Sequence, residues 1–282
     1  MKKAFITGAT GNIGSCLVQY LQELQVPFTA GSRQISSEEF PTAPIDFDNV
    51  NQLTQAFVGH ETLFLLTPDS EHSHKWVANA LQAAKTAQVK HIVRSSGIGA
   101  DPDSPYFVFS ELGRIEEQVK SCGISYTIIQ PNSFFQNFAT FQNASVKNGM
   151  VFLPHEQAKI SYADVRDVAL AIAHVLKDPS AHKGQSYVIT GPEAITDQAL
   201  LNEIGQVLGK KVQYVAVSDE DTVTTFRKYH MPEHNIKQLI SLYQADRAGE
   251  TANVSQDYEA LTGQKPRKAS DFARDYRTYW ME

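Results

Sequence analysis

Apolar and polar positions alternate between two periods through the first half of the chain. Short apolar runs, KKAFI, PFTAGSR, TAPIDF, TLFLLTP, KHIVRSS and ISYTIIQP, have the length and composition of buried strands. Between them lie segments with helical spacing: IGSCLVQYLQEL, with positions 13, 17, 18 and 21 on one face, NVNQLTQAFVG capped by Asp48 or Asn49, residues 72–87, and RIEEQVKSCG. Strand patterns separated by helical patterns about ten to fifteen residues long predict βαβ crossovers and a buried parallel sheet. The fold class is α/β, doubly wound, with helices on both faces of the sheet.

The second half reads differently. A short strand is expected before the helix DVRDVALAIAHVLKD, followed by a strand GQSYVIT, a helix capped by Thr196 and a strand KVQYVAV. From Asp219 the pattern is mostly helical to the end. With no repeat, no low-complexity tract and no Pro/Ser-rich linker, residues 1–282 read as one unit. Its sheet core spans about 1–155 plus returning segments about 160–192, and a smaller, mostly helical lobe spans about 193–282.

Composition narrows the function classes. A chain of 282 residues that is 42% hydrophobic can bury a large core. A net charge of −6 and a sequence pI of 5.9, without clustered Lys and Arg, argue against nucleic acid as a direct partner. No apolar run approaches the roughly 18 residues of a membrane span, and the chain enters a strand without a leader pattern, so no membrane partner and a cytoplasmic location are expected. Cys16 and Cys122 are too few for a disulfide framework and read as buried small hydrophobes. His72 and His74, two apart and without a third ligand, give no metal site.

The turn after the first strand carries glycines as GxxGxxG, at Gly8, Gly11 and Gly14 in ITGATGNIG. Between strand and helix, such a turn lets the backbone approach a diphosphate, where free N–H groups and the helix dipole favour negative charge. Gly8 and Gly11 shape the turn, Gly14 lets helix and strand pack closely, and Thr10, Asn12 and Ile13 complete the predicted dinucleotide-binding stretch. An acid about twenty residues further on would grip the ribose 2′-hydroxyl of NAD. Here Gly31, Ser32 and Arg33 stand in its place, a hydroxyl and a guanidinium suited to a 2′-phosphate, so NADP(H) is preferred over NAD(H). Asp46, with Phe47 beside it, either accepts a hydrogen bond from the adenine amino group or caps the next helix.

In order, ITGATGNIG, AGSRQ, LFLLTP, HIVRSSGIGAD, GISYTIIQPNSFFQNF, YADVRDVALAIAHVL and GQSYVITG resemble the NmrA-like branch of the atypical short-chain dehydrogenase/reductases. The resemblance covers nearly the whole chain. That family contains quinone and dye reductases, clavine-type dehydrogenases and NADP-sensing regulators without catalysis. The resemblance implies an NADP(H)-binding Rossmann domain, a small C-terminal lobe and a cleft between them.

A reductase needs a hydride donor, which the cofactor supplies, and usually an acid for the developing negative charge. The short-chain dehydrogenase solution is a Ser beside the fifth strand, then YxxxK on the next helix. Ser95 and Ser96 fill the serine place and Tyr106 follows, but Ser110 stands where the lysine would be. Without that ammonium, Tyr106 reads as an aromatic beside the cleft before it reads as an acid. Members of the family often carry His or Lys four residues before a Glu on this helix. Glu116 matches the acid, Leu112 replaces the base, and Glu116 is therefore either a structural carboxylate or a proton carrier.

Strand ends supply the remaining candidates, because ligands of open α/β sheets bind outside the carboxyl ends. Leu66, Thr67 and Pro68 are expected along the nicotinamide ribose, and Pro131, Asn132, Ser133 and Phe134 near the nicotinamide. Phe135 and Asn137 are expected to face substrate. The aromatic tone of PNSFFQNFATF suits a planar or hydrophobic molecule. Two function classes result. The favoured one is an NADPH-dependent reductase of a quinone, enone or imine, acting alone or as a homodimer; the other is a non-catalytic NADP(H) sensor acting through a regulatory protein partner.

Overall fold

The structure, a computed structural model, describes residues 3–34 and 36–281. Its strands are β1 (Ala4–Thr7), β2 (Phe28–Ser32), β3 (Thr42–Pro44), β4 (Thr62–Leu65), β5 (His91–Ser95), β6 (Ser125–Pro131), β7 (Met150–Leu153), β8 (Gln185–Ile189) and β9 (Gln213–Ala216). Seven of them form one sheet in the order β3-β2-β1-β4-β5-β6-β8, parallel at every pairing. This is the doubly wound Rossmann arrangement, and its order reverses between β1 and β4, where ligands of such sheets bind.

Near-continuous apolar strands follow from helices on both faces. Ile6, Ala30, Phe64, Val93 and Ile129 point to the side of α1 (Asn12–Glu23) and α6 (Val165–Lys177). Their neighbours Phe5, Leu63, Leu65, Ile92 and Ile128 point to the side of α2 (Val50–Phe57), α3 (Ser73–Thr86) and α4 (Phe107–Ser121). Each fully buried side chain of this size contributes about 1.5–3 kcal/mol by leaving water, which holds both helical layers in place. Asn49 caps α2 by accepting from Gln52 N, as the sequence offered.

The lobe departs from the sequence-based division. It contains α5 (Asn143–Lys147), α7 (Asp197–Leu208), α8 (Asp219–Lys228), α9 (Glu233–Ala248) and α11 (Ala269–Asp275), while α10 (Asp257–Thr262) returns to the sheet with Tyr258 in the α1/α6 core. A third core joins Phe135, Phe138, Val151 and Tyr162 to Leu200, Ile204, Phe272 and Trp280, so residues 135–162 build the lobe rather than the sheet. The short strand β7 pairs with β9 in a separate parallel pair. Helix α4 begins at Phe107, seven residues before the RIEEQVKSCG segment, because Phe107 and Val108 find partners in α9. Cys122 is buried, but Cys16 is only half-buried on α1. Among the described residues no helix is long and apolar enough to cross a membrane.

A buried charge cluster fastens the lobe. His155 Nδ1 lies 2.7 Å from Asp197 Oδ2, and its Nε2 lies 3.3 Å from Asp246 Oδ2, an ion-pair contact outside hydrogen-bond alignment. Tyr162 donates to Asp197 Oδ1 at 2.6 Å, and Thr251 donates to Asp246 Oδ1 at 2.6 Å. Burial alone would depress the His155 pKa, but the hydrogen bond to Asp197 and the charges of Asp197 and Asp246 outweigh it and push it up to about 9. Because the folded value lies above the ordinary 6.5, the contribution is complete below about pH 6.5 and is lost as pH rises through about 9. His155→Ala is expected to cost about 3–5 kcal/mol at pH 7 by urea unfolding. The gap between wild type and variant should shrink at pH 10; a gap that stays constant contradicts the assignment.

Candidate active site

The first turn is built by backbone that admits no side chain. Gly8 adopts φ +69°, a left-handed conformation that favours glycine. A Cβ on Gly14 would stand 2.1 Å from Gly8 O and 2.7 Å from Ala9 Cα, so α1 and the turn touch directly. Gly11 N donates to Gly8 O at 3.0 Å. The Thr7 hydroxyl accepts from Leu66 N at 2.8 Å and ties the ends of β1 and β4 together. Gly11 caps α1 without a side-chain hydrogen bond and no acid occupies the first turn, which leaves the helix end suited to an anion.

Around this turn lies a cavity of about 400 Å³. Gly8, Thr10, Gly11, Ser32, Arg33, Asp46, Phe47, Leu66, Thr67 and Pro68 line it, all from the carboxyl ends of β1 to β4. The Thr10 and Ser32 hydroxyls are 3.2 Å apart at the mouth, and Arg33 is exposed beside them with no ion pair among the described residues. Asn12 is exposed at the start of α1, whereas Ile13 and Gly14 are buried behind the turn and offer a ligand only backbone. Ile45, Asp48 and Trp76 also line the cavity; the sequence offered Asp48 only as a helix cap and did not point to Ile45 or Trp76. Trp76 is the fourth residue of α3, the helix that follows the β4 end, and its sequence neighbours carry no signal of a cavity wall.

The ends of β5 and β6 are arranged less openly. Ser95 is buried, while the Ser96 hydroxyl is buried without a hydrogen-bond partner at the carboxyl end of β5. Leu112 Cδ1 would stand 2.9 Å from a Cβ on Gly97, so an apolar side chain lies where the family's basic residue is expected. Tyr106 packs edge-on against Phe109 with ring centroids 5.8 Å apart. Glu116 is 1% exposed; Lys120 Nζ donates to Oε2 and Gln130 Nε2 to Oε1, both at 2.8 Å. These bonds engage both carboxylate oxygens and turn Glu116 towards the sheet, away from the cavity.

Several residues expected at the nicotinamide or substrate are used to join sheet and lobe. Asn132 is buried, and its amide donates to Ser161 Oγ and Thr251 O, both at 2.8 Å. Ser133 O accepts from Ala163 N at 2.8 Å, and Phe134 is half-buried against the α1/α6 core. Pro131 is buried at the end of β6. Phe135 does not face a cleft: it is 2% exposed and stacks on Phe272 at 5.5 Å and 16°. The lobe core claims this ring because the chain turns inward after Phe134. Asn137 is half-buried in the following 3-10 turn. His74, rather than lying free, bonds Glu111 and Gln118 on α4.

A parallel sheet with a glycine turn and an anion-suited cavity at its switch point defines a dinucleotide-binding class of fold. Within that class the chain belongs to the NmrA-like family, whose model matches residues 1–279. It is 32% identical over 275 residues to an NAD(P)H azoreductase of Xenophilus azovorans, covering 95% of this chain and 96% of that protein. An agroclavine dehydrogenase of Claviceps fusiformis is 24% identical over 98% of both chains. The structure of an NADPH-dependent quinone oxidoreductase of Escherichia coli complexed with NADPH superposes with a TM-score of 0.86 at 25% identity, over 96% of this chain and 99% of that one.

The Glu116 contacts predict a stability role that is separable from turnover. Glu116→Ala strands Gln130 and the buried Arg94 guanidinium, whose charge faces Glu116, and should cost about 3 kcal/mol in urea unfolding. Catalysis per folded molecule should be unchanged. A rate loss beyond about tenfold without a stability loss would contradict this reading.

Proposed function

We propose that the protein is an NADPH-dependent oxidoreductase that transfers hydride to a small planar or hydrophobic electrophile such as a quinone, enone or imine. The observation that carries the proposal is the cavity in which the Gly8–Gly11 turn, the Thr10 and Ser32 hydroxyls and the exposed Arg33, without an ion pair among the described residues, meet. The residues fit the group: Gly8 and Gly11, without side chains, leave backbone facing the cavity at the turn, and a guanidinium with two hydroxyls suits a 2′-phosphate where a carboxylate would repel it. The azoreductase and quinone oxidoreductase relatives support the same class of reaction.

NADPH, when bound, supplies the hydride. The chain's own residues then bind and orient. The backbone of Gly8, Gly11 and the first turn of α1 would hold the diphosphate, and Leu66, Thr67 and Pro68 would guide the nicotinamide ribose towards β5 and β6. Ser96, whose hydroxyl is unpartnered but covered at the β5 end, would have to be uncovered by a side-chain rotation before it could donate to a carbonyl or imine nitrogen. The acceptor takes the hydride at one atom of its polarised double bond and a solvent proton at the other, so neither Glu116 nor a Tyr/Lys pair is required. A proximity gain from holding donor and acceptor together carries most of the rate.

The sensor reading keeps one observation in its favour, the apolar Leu112 over Gly97 at the place of a proton carrier. One titration separates the two. NADPH and NADH are titrated by nicotinamide fluorescence, and quinones, enones and imines are then added while absorbance is followed. NADPH binding with oxidation by any acceptor supports the reductase, binding with none across the panel supports the sensor, and no binding of either dinucleotide overturns both. Arg33→Ala should weaken NADPH by roughly 10- to 100-fold and leave NADH unchanged.

A further inference from the structure

The far end of the cavity has an aromatic wall that neither the glycine turn nor Arg33 accounts for. Trp76, in the first turn of α3, is half-buried and lines the same space as Asp46 and Phe47. Its Nε1 donates to Asp48 Oδ2 at 3.0 Å, and Lys75 Nζ donates to Asp48 Oδ1 at 2.6 Å. These two hydrogen bonds hold the Asp48 carboxyl below the usual carboxylate range, so it stays a charged acceptor. One turn further along α3, Asn79 Nδ2 donates to Phe47 O at 2.8 Å. Within the loop, Asp48 N donates to Asp46 Oδ1 at 2.9 Å.

These bonds fix the loop after β3 against α3 at three points before any ligand arrives. The Phe47 and Trp76 rings then stand 6.3 Å apart at 33°, with the His72 ring set edge-on to Trp76 at 5.6 Å. An indole held in place by a carboxylate loses little freedom on binding, which favours stacking on a flat heterocycle.

We propose that Trp76 is the adenine-stacking residue of this chain and that the Asp48–Lys75 pair is the clasp that positions its indole. The inference rests on the dinucleotide reading above and assigns the end of the molecule remote from hydride transfer. If the turn holds the diphosphate and Arg33 the 2′-phosphate, the base enters the space between the β3 loop and α3. Asp46, on the same wall, then faces the exocyclic amino group of the base.

Adenosine 2′,5′-bisphosphate is the probe, because it carries the base and the 2′-phosphate but no nicotinamide. The chain has two tryptophans, and Trp280 is buried in the lobe with its Nε1 bonded to Phe138 O, so ligand-dependent quenching reports on Trp76. Wild type should bind the probe by calorimetry with quenching of indole emission. Trp76→Ala should weaken both the probe and NADPH by roughly 5- to 150-fold. Trp76→Phe, which preserves a ring and guards against a folding defect, should bind within a few-fold of wild type but lose the quenching. Asp48→Asn should weaken the probe less than Trp76→Ala. Probe binding that is unchanged in Trp76→Ala, or occurs without quenching in wild type, overturns the stacking role while leaving the dinucleotide reading intact. Failure of wild type to bind both the probe and NADPH overturns the two together.

Discussion

The contact between Gly14 and the carbonyl of Gly8 is the constraint on which the rest of the site depends. At 2.1 Å for any added Cβ, helix α1 can approach the end of β1 only if position 14 has no side chain. That approach aims the open end of α1 at the space above β1, β2 and β4. The same short turn lets Thr7 reach Leu66, so the two strands on either side of the switch point end in register. Arg33, just after β2, and the loop after β3 then converge on the space the turn leaves open.

Much of this was legible because it is local. The alternation of strand and helix patterns gives the parallel sheet, and the glycine spacing, Ser32 and Arg33 depend on only a few consecutive residues each. What escaped the sequence depends on pairings between distant segments. The ring of Phe135 could as well have faced a cleft, and only its partner Phe272, far along the chain, shows that it belongs to the lobe core. Asn132 looks like a strand-end ligand group until Ser161 and Thr251 are seen to consume its amide. Glu116 likewise has an obvious candidate role by helix position, and only Gln130 and Lys120 reveal its use. Trp76 was passed over for the opposite reason: nothing in its neighbours announces that α3 forms one wall of the cavity.

The same distribution bears on mechanism. Exposed polar groups are concentrated at the turn and Arg33, the end proposed to hold the cofactor, while the ends of β5 and β6 hold Leu112, the buried Ser96 hydroxyl and buried structural groups. On the proposed reading, such a site would recognise its cofactor through charge and orient its acceptor through shape. It would then suit acceptors that need no strong general acid, since a conjugated or charged electrophile takes hydride directly and its proton from water.

The most direct test of that account follows the hydride itself. The protein is incubated in ordinary water with NADPH carrying deuterium at the transferable position and an activated enone, and the product is examined by NMR. The account predicts deuterium on the β-carbon and a solvent proton on the α-carbon. Bound NADPH that releases no deuterium to this or any other acceptor would contradict it and leave a protein that reads the cofactor without using it.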